Sequence, residues 1–182
     1  MKTREEIRHL LAELRGKDGA HREHARKTLV QMGPLATAPL MELLSDPDKH
    51  LRWEACKALG AIKDPRAAAP LANALRDENM EVQWLSAEAL IALGPDALIP
   101  LLQTLETHFN SLFVRQGAYH VLRAFDYMLN EKTLALFNAL RSQDPVITVA
   151  WAAHKALESL RTPLTQQPGA HHIVARRSDV VQ

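Results

Sequence analysis

The chain has a single cysteine, Cys56, so no disulfide can close within it. A lone thiol suits a reducing compartment, and a cytoplasmic location is the expectation. Only 7 of the 182 residues are glycine and aromatics make up 5%, while runs of Val, Ile, Thr and Tyr are few. Strands and a β-sandwich therefore have little support. Neither charge dominates: 22 Lys and Arg stand against 21 Asp and Glu, a formal net charge of +1. A chain whose main partner is nucleic acid normally carries a clear basic excess, so that partner is not expected. No uninterrupted apolar run has membrane-spanning length, and no membrane partner is expected. The opening MKTREEIRHLLAELRG is charged throughout and lacks the apolar core of a signal peptide. Neither a Gly-rich phosphate loop nor a G-x-S-x-G motif occurs.

What is present is Ala, Leu and a repeat. At 47% hydrophobic and 24% charged residues, the composition is that of a globular chain long enough to bury one core. DPDKHLRWEACKALGAIKDPRAAAPLANALRDE, from Asp46, is followed by DENMEVQWLSAEALIALGPDALIPLLQTL. Offset by about 31 residues, Asp46 falls on Asp77, Leu51 on Val82, Trp53 on Trp84, Leu59 on Leu90 and Ile62 on Leu93. The same frame catches Asp144, Val149, Trp151, Leu157 and Leu160. It also catches Val114, Ala118, Leu122 and Phe125, and earlier Ala25, Leu29 and Met32.

Each unit divides into two helices. The second, B, carries Leu51, Ala55, Ala58, Leu59 and Ile62 on one face at about 100° per residue. The first, A, carries a Leu pair one turn apart: Leu10/Leu14, Leu40/Leu44, Leu71/Leu75, Leu101/Leu105 and Leu136/Leu140. Five pairs predict five helical hairpins. Asp46-Pro47 and Asp144-Pro145 read as an N-cap before a first-turn Pro, opening B helices, and Asp64-Pro65 opens an A helix. Gly33-Pro34 and Gly94-Pro95 end one helix and start the next. Thr3 with Glu6 reads as a capping box. Pro39, Pro70 and Pro100 each precede a core Leu, where a bend is expected.

An A helix with an internal Pro, a turn Asp, an apolar-Arg step and then A-x-x-x-L-G resembles HEAT repeats. The short unit is most similar to the HEAT-like repeats of phycobilisome bilin lyases and deoxyhypusine hydroxylase. The resemblance covers Thr3 to Arg161 and is strongest over Asp46–Leu105. It implies an all-α solenoid, an alpha-alpha superhelix of five hairpins over residues 1–161, with B helices lining the concave face. The step Arg is kept as Arg52 and Arg115 but becomes Gln83 and Ala150, and the turn THFNS lacks the Asp. Residues 162–182, TPLTQQPGAHHIVARRSDVVQ, carry no helical stripe and read as a flexible tail.

Taking Leu51 as the core direction, Trp53 points about 200° away along its helix. Trp84, Gln116 and Trp151 share that outward position, and Lys57, Glu88, His120 and Lys155 flank it. All three Trp of the chain occupy one repeat position, with Gln116, His120 and Arg123 continuing the stripe on the fourth B helix. Outward Trp is a frequent anchor of recognition, so Trp53, Trp84, Trp151, Gln116, His120, Arg123, Lys57 and Lys155 are the candidate binding residues. No catalytic residue, cofactor or metal is assigned. Deoxyhypusine hydroxylase binds iron through His-Glu pairs. The corresponding pairs here are Trp53-Glu54, Trp84-Leu85, Gln116-Gly117 and Trp151-Ala152, none of them His-Glu. His21, His24, His50 and Glu54 lie at helical spacings too common to mark a metal site.

The expected function is that of a non-enzymatic scaffold for another protein or peptide. A bilin lyase-like subunit and a HEAT-like DNA glycosylase are the alternatives, the latter weakened by the absence of an Asp on the stripe. At the ends of the array, Arg4, Glu5, Arg8, Glu13 and Arg15 give the first helix a polar exterior, as a terminal repeat needs. Val146, Val149, Ala150 and Ala153 are expected to leave an apolar face on the last helix, covered by the tail or by a second copy in a homodimer.

Overall fold

A computed structural model describes residues 2–125, 131–141 and 145–161. These residues form ten α-helices and, among the described residues, no strand. The helices follow one another as α1 (Lys2–Leu14), α2 (Gly19–Met32), α3 (Pro34–Leu43), α4 (Lys49–Ile62), α5 (Ala68–Ala74), α6 (Met80–Leu93), α7 (Leu98–Thr107), α8 (Leu112–Ala124), α9 (Glu131–Arg141) and α10 (Pro145–Arg161). Consecutive helices pack as five hairpins. The all-α solenoid expected from the repeat is the observed fold. The 162–182 segment lies outside the described residues.

The core is built from the residues that define the repeat. Leu40, Leu71, Leu75, Leu101 and Leu105 of the A helices are fully buried, as are Leu59, Leu90 and Val114 of the B helices. The first helix buries Ile7, Leu10 and Leu14 and turns Arg4, Glu5 and Arg8 outward, the polar cap that a solenoid end requires. Pro70 and Pro100 sit in the first turn of α5 and α7, after 3₁₀ turns at Pro65–Ala67 and Gly94–Ala97. A first-turn residue has no intrahelical N–H bond to lose, so the bend falls at the change of pitch. Pro39 alone lies inside a longer helix.

Helix ends differ in detail from the sequence reading. Asp46 does not cap α4: its carboxylate accepts from the Asp48 N–H at 2.9 Å, and Asp48 is the N-cap, accepting from His50 N–H. Asp77 repeats this, accepting from Asn79 N–H at 2.8 Å while Asn79 caps α6. The repeat Asp therefore shapes the turn and the cap follows two residues later. Thr3 lies within α1, so it is not a cap. Gly33 (φ 60°) and Gly94 (φ 73°) end α2 and α6 as expected. Asp144 lies outside the described residues.

The stretch Met80–Thr107 is long and apolar enough to cross a membrane by length and composition alone. The chain reverses at Gly94, dividing it into helices of 14 and 10 residues that pack into the hairpin core. Each is shorter than the ~20 residues a spanning helix needs.

The B helices α2, α4, α6 and α8 form one continuous layer, each packed on the next. The last hairpin departs from it. Its second helix, α10, packs mainly on α7 and α9, and His154 Nδ1 lies 2.7 Å from Glu106 of α7. The first helix, α9, meets α8 instead, through a Tyr119–Phe137 ring pair with centroids 4.7 Å apart. Val149 and Ala153 are fully buried as a result, so they do not leave the open face expected of them. Among the described residues, the large apolar side chains that the last hairpin exposes are Leu134, Trp151 and Leu160, and the side chain of Val146 lies outside them.

Candidate interaction surface on the second-helix layer

The close spacing of this layer depends on small residues. A Cβ added at Gly60 of α4 would lie 2.9 Å from the Ala89 Cβ and 3.0 Å from its Cα on α6. A Cβ at Gly117 of α8 would meet the Leu75 side chain at 2.7 Å. Gly60 lets α4 and α6 approach to backbone contact, and Gly117 makes room for the Leu75 side chain against α8.

Polar side chains lock the turns beneath the surface. In the first four B helices one side chain near the helix start donates to the carbonyl six residues earlier. Arg22 reaches Gly16 O at 2.9 Å, Arg52 reaches Asp46 O at 2.8 Å, Gln83 reaches Asp77 O, and Arg115 reaches Phe109 O at 2.7 Å. Gln83 thus keeps the bond, although its sequence departs from Arg. Arg22 is the member of this set that the sequence reading missed. It stands 30 residues before Arg52 rather than 31, and the arithmetic of numbering would have found it.

Above the turns lie two pockets. On α6 and α8, Leu75, Ala87 and Gly117 floor an open pocket of about 320 Å³. Met80, Trp84 and Phe113 stand around it, 72%, 57% and 47% exposed. The Trp84 indole lies against the His120 imidazole, centroids 4.6 Å apart, and His120 Nε2 is 2.7 Å from a Glu88 oxygen. Gln83 and Gln116 complete the polar edge.

One repeat earlier, Trp53 has a different setting. It is half-buried, with the Lys57 ammonium 4.3 Å from its ring centroid and the Arg26 guanidinium 5.9 Å away, distances suited to cation–π attraction. Arg26 pairs with the buried Glu54 at 2.6 Å, and Arg22 lies 3.8 Å from the same carboxylate. Together with His50 and Glu81 these residues line an open, polar pocket of about 470 Å³.

Of the eight candidate binding residues, the structure brings Trp53, Lys57, Trp84, Gln116, His120 and Arg123 onto the α4–α6–α8 layer, with Arg123 exposed. It does not bring Trp151 and Lys155 to them. Both ride on α10, which is seated on α7 and α9, and Lys155 pairs with Glu158 at 2.7 Å. Sharing a sequence position did not give Trp151 a shared place. Met80 and Phe113 were missed, because neither occupies the repeated Trp position. Among the described residues no three His, Cys, Asp or Glu side chains converge as a metal site. Cys56 is buried beneath α6, and burial pushes its thiol up to about 12.

The fold and its repeated turns define a class of helical-repeat proteins, and comparison with known proteins names it. The description of HEAT repeats matches residues 7–79 and 68–158, and the chain belongs to that family. Among solved structures it is similar to a chain in the complex of CpcE and CpcF of phycocyanin lyase from Nostoc sp. PCC7120. The identity is 24% and the TM-score 0.56, over 81% of this chain and 97% of that one. That likeness concerns the fold. No curated protein matches the chain.

Proposed function

We propose that the chain is a non-enzymatic scaffold that binds a protein segment on its α4–α6–α8 layer, with the Trp84 pocket as the anchor. The carrying observation is the cluster of Met80, Trp84 and Phe113, three large apolar side chains exposed around one pocket. Each is at least half as exposed as an isolated residue or close to it, so the fold gains little from them, and apolar pockets with polar edges are where binding energy concentrates. An aliphatic or aromatic side chain of the partner enters between them, while Gln83, Gln116 and His120 offer hydrogen bonds at the rim. The similar solved structure is itself a complex of two proteins, so this fold supports protein association there.

The test compares proteins retained by the intact chain with those retained by Trp84→Ala and Phe113→Ala variants. A partner held by the intact chain and lost from both variants, with unchanged helicity, supports the reading. Equal retention by all three contradicts it. A bilin lyase-like role rests on fold likeness alone, and absorbance after incubation with a free bilin tests it separately.

A further inference from the structure

We propose that residues 171–175 of this chain fold back along α10 and pack Ile173 and Val174 against Trp151. The inference is independent of the Trp84 pocket. Trp151 heads the exposed stripe of the terminal helix. It is 61% exposed, and His154, Lys155 and Glu158, which follow it at helical spacings, are exposed too. A solenoid end requires a polar outer face, and here that face carries a bare indole. The charges around it are matched among themselves. Lys155 pairs with Glu158 at 2.7 Å, and His154 lies 2.7 Å from Glu106. A segment that covers Trp151 therefore needs apolar surface and no charge of its own.

The chain beyond α10 meets both requirements. Residues 162–175, TPLTQQPGAHHIVA, contain no Asp, Glu, Lys or Arg, and Ile173-Val174 is the apolar pair among them. Length also suits. Trp151 stands ten residues before Arg161 on the same helix, about 15 Å along its axis. Ile173 stands twelve residues beyond Arg161, a reach of roughly 40 Å when extended. That leaves chain for the reversal, and Pro168-Gly169 is a turn sequence. Leu164, three residues beyond Arg161, reaches only about 10 Å and falls short of the indole. One indole is also a small target. An untethered protein or a second copy needs on the order of 1,000 Å² of interface to bind stably. A tethered segment is held near its target at an effective concentration of about millimolar, so a single apolar contact suffices.

Fluorine NMR of the full chain labelled with fluorotryptophan tests this. The chain has three Trp, and Trp53→Phe, Trp84→Phe and Trp151→Phe variants assign their signals. Trp84 is an internal reference, because its exposure of 57% is close to the 61% of Trp151. The expected result is a smaller solvent isotope shift for Trp151 than for Trp84. Replacing Ile173→Ser and Val174→Ser together is expected to raise the Trp151 value to that of Trp84 and to move the Trp151 signal alone. Both positions lie beyond α10, so the buried side chains of the ten helices are untouched. Equal isotope shifts for the two Trp in the intact chain overturn the proposal. So does a Trp151 signal indifferent to the double replacement. A Trp84 signal that moves instead puts the segment in the other pocket and also overturns it. Shielding of Trp151 that vanishes on dilution, with a doubled mass at high concentration, assigns the cover to a second copy and overturns it as well.

Discussion

Arg52 of α4 holds Asp77 through both carboxylate oxygens, at 2.7 Å and 2.9 Å, with both side chains largely buried. The pair joins the second hairpin to the turn of the third. The same guanidinium caps the carbonyls of Asp46 and Pro47, so one side chain closes its own turn and grips the next. Removing one partner leaves a charge buried without its complement, at a cost on the order of 3 kcal/mol. Asp77→Ala is expected to lower the unfolding free energy measured by urea titration by that amount. The double replacement Arg52→Met with Asp77→Leu is expected to recover part of it, as apolar groups replace the pair.

The Gly60–Ala89 contact carries a prediction of opposite sign to helix propensity. Gly→Ala inside a helix ordinarily stabilises by about 1 kcal/mol. Here the new methyl meets the backbone of α6, and overpacking of this kind costs about 1–3 kcal/mol. Gly60→Ala should therefore lower the melting temperature. Adding Ala89→Gly should restore much of the loss, since it removes the Cβ in the way.

How much of this was legible in the sequence depends on what a periodic pattern encodes. Leu59, Leu90 and the A-helix Leu pairs announced the hairpins, because a one-sided apolar stripe on a helix has to be buried. The same pattern in VITVAWAAHKALESL showed which face of α10 is buried but not on what. Val149 and Ala153 are buried on a hairpin whose second helix packs on α7, and the turned hairpin followed no signal in the repeat. The Trp stripe was legible as a direction. Its surroundings were not, since Lys57 over Trp53 and His120 beside Trp84 come from rotamers and from a neighbouring helix. Asp46 and Asp48 show the limit at helix ends: two acids two residues apart both suit a cap, and the turn geometry chose the second.

Two buried groups bound the pH range of stability. Hydrogen bonds from Arg66 hold the Asp64 carboxyl well below the usual range, and the Thr37 hydroxyl donates to it at 2.8 Å. Its folded pKa is depressed from about 3.9, so its contribution is present above about pH 4 and lost as pH falls below that. Cys56 acts at the other end. Its folded value of about 12 exceeds the free value of about 8.5. Its contribution is intact below about pH 8.5 and is lost as pH rises towards 12. Denaturant midpoints across this range should fall at both ends, with Asp64→Asn flattening the acid limb and Cys56→Ala the alkaline one. At neutral pH the thiol should react with a disulfide reagent only once the chain is unfolded.

The central claim is that binding belongs to the α4–α6–α8 layer and not to every Trp of the repeat. Trp84 and Trp151 are almost equally exposed, at 57% and 61%, and differ in which layer carries them. The direct measurement is the dissociation constant of one captured partner for Trp84→Ala and Trp151→Ala, side by side with the intact chain. A loss of about 2 kcal/mol, some thirtyfold, is predicted for Trp84→Ala, and a change within about twofold for Trp151→Ala. Equal losses for the two, or a larger loss at Trp151, would contradict the account.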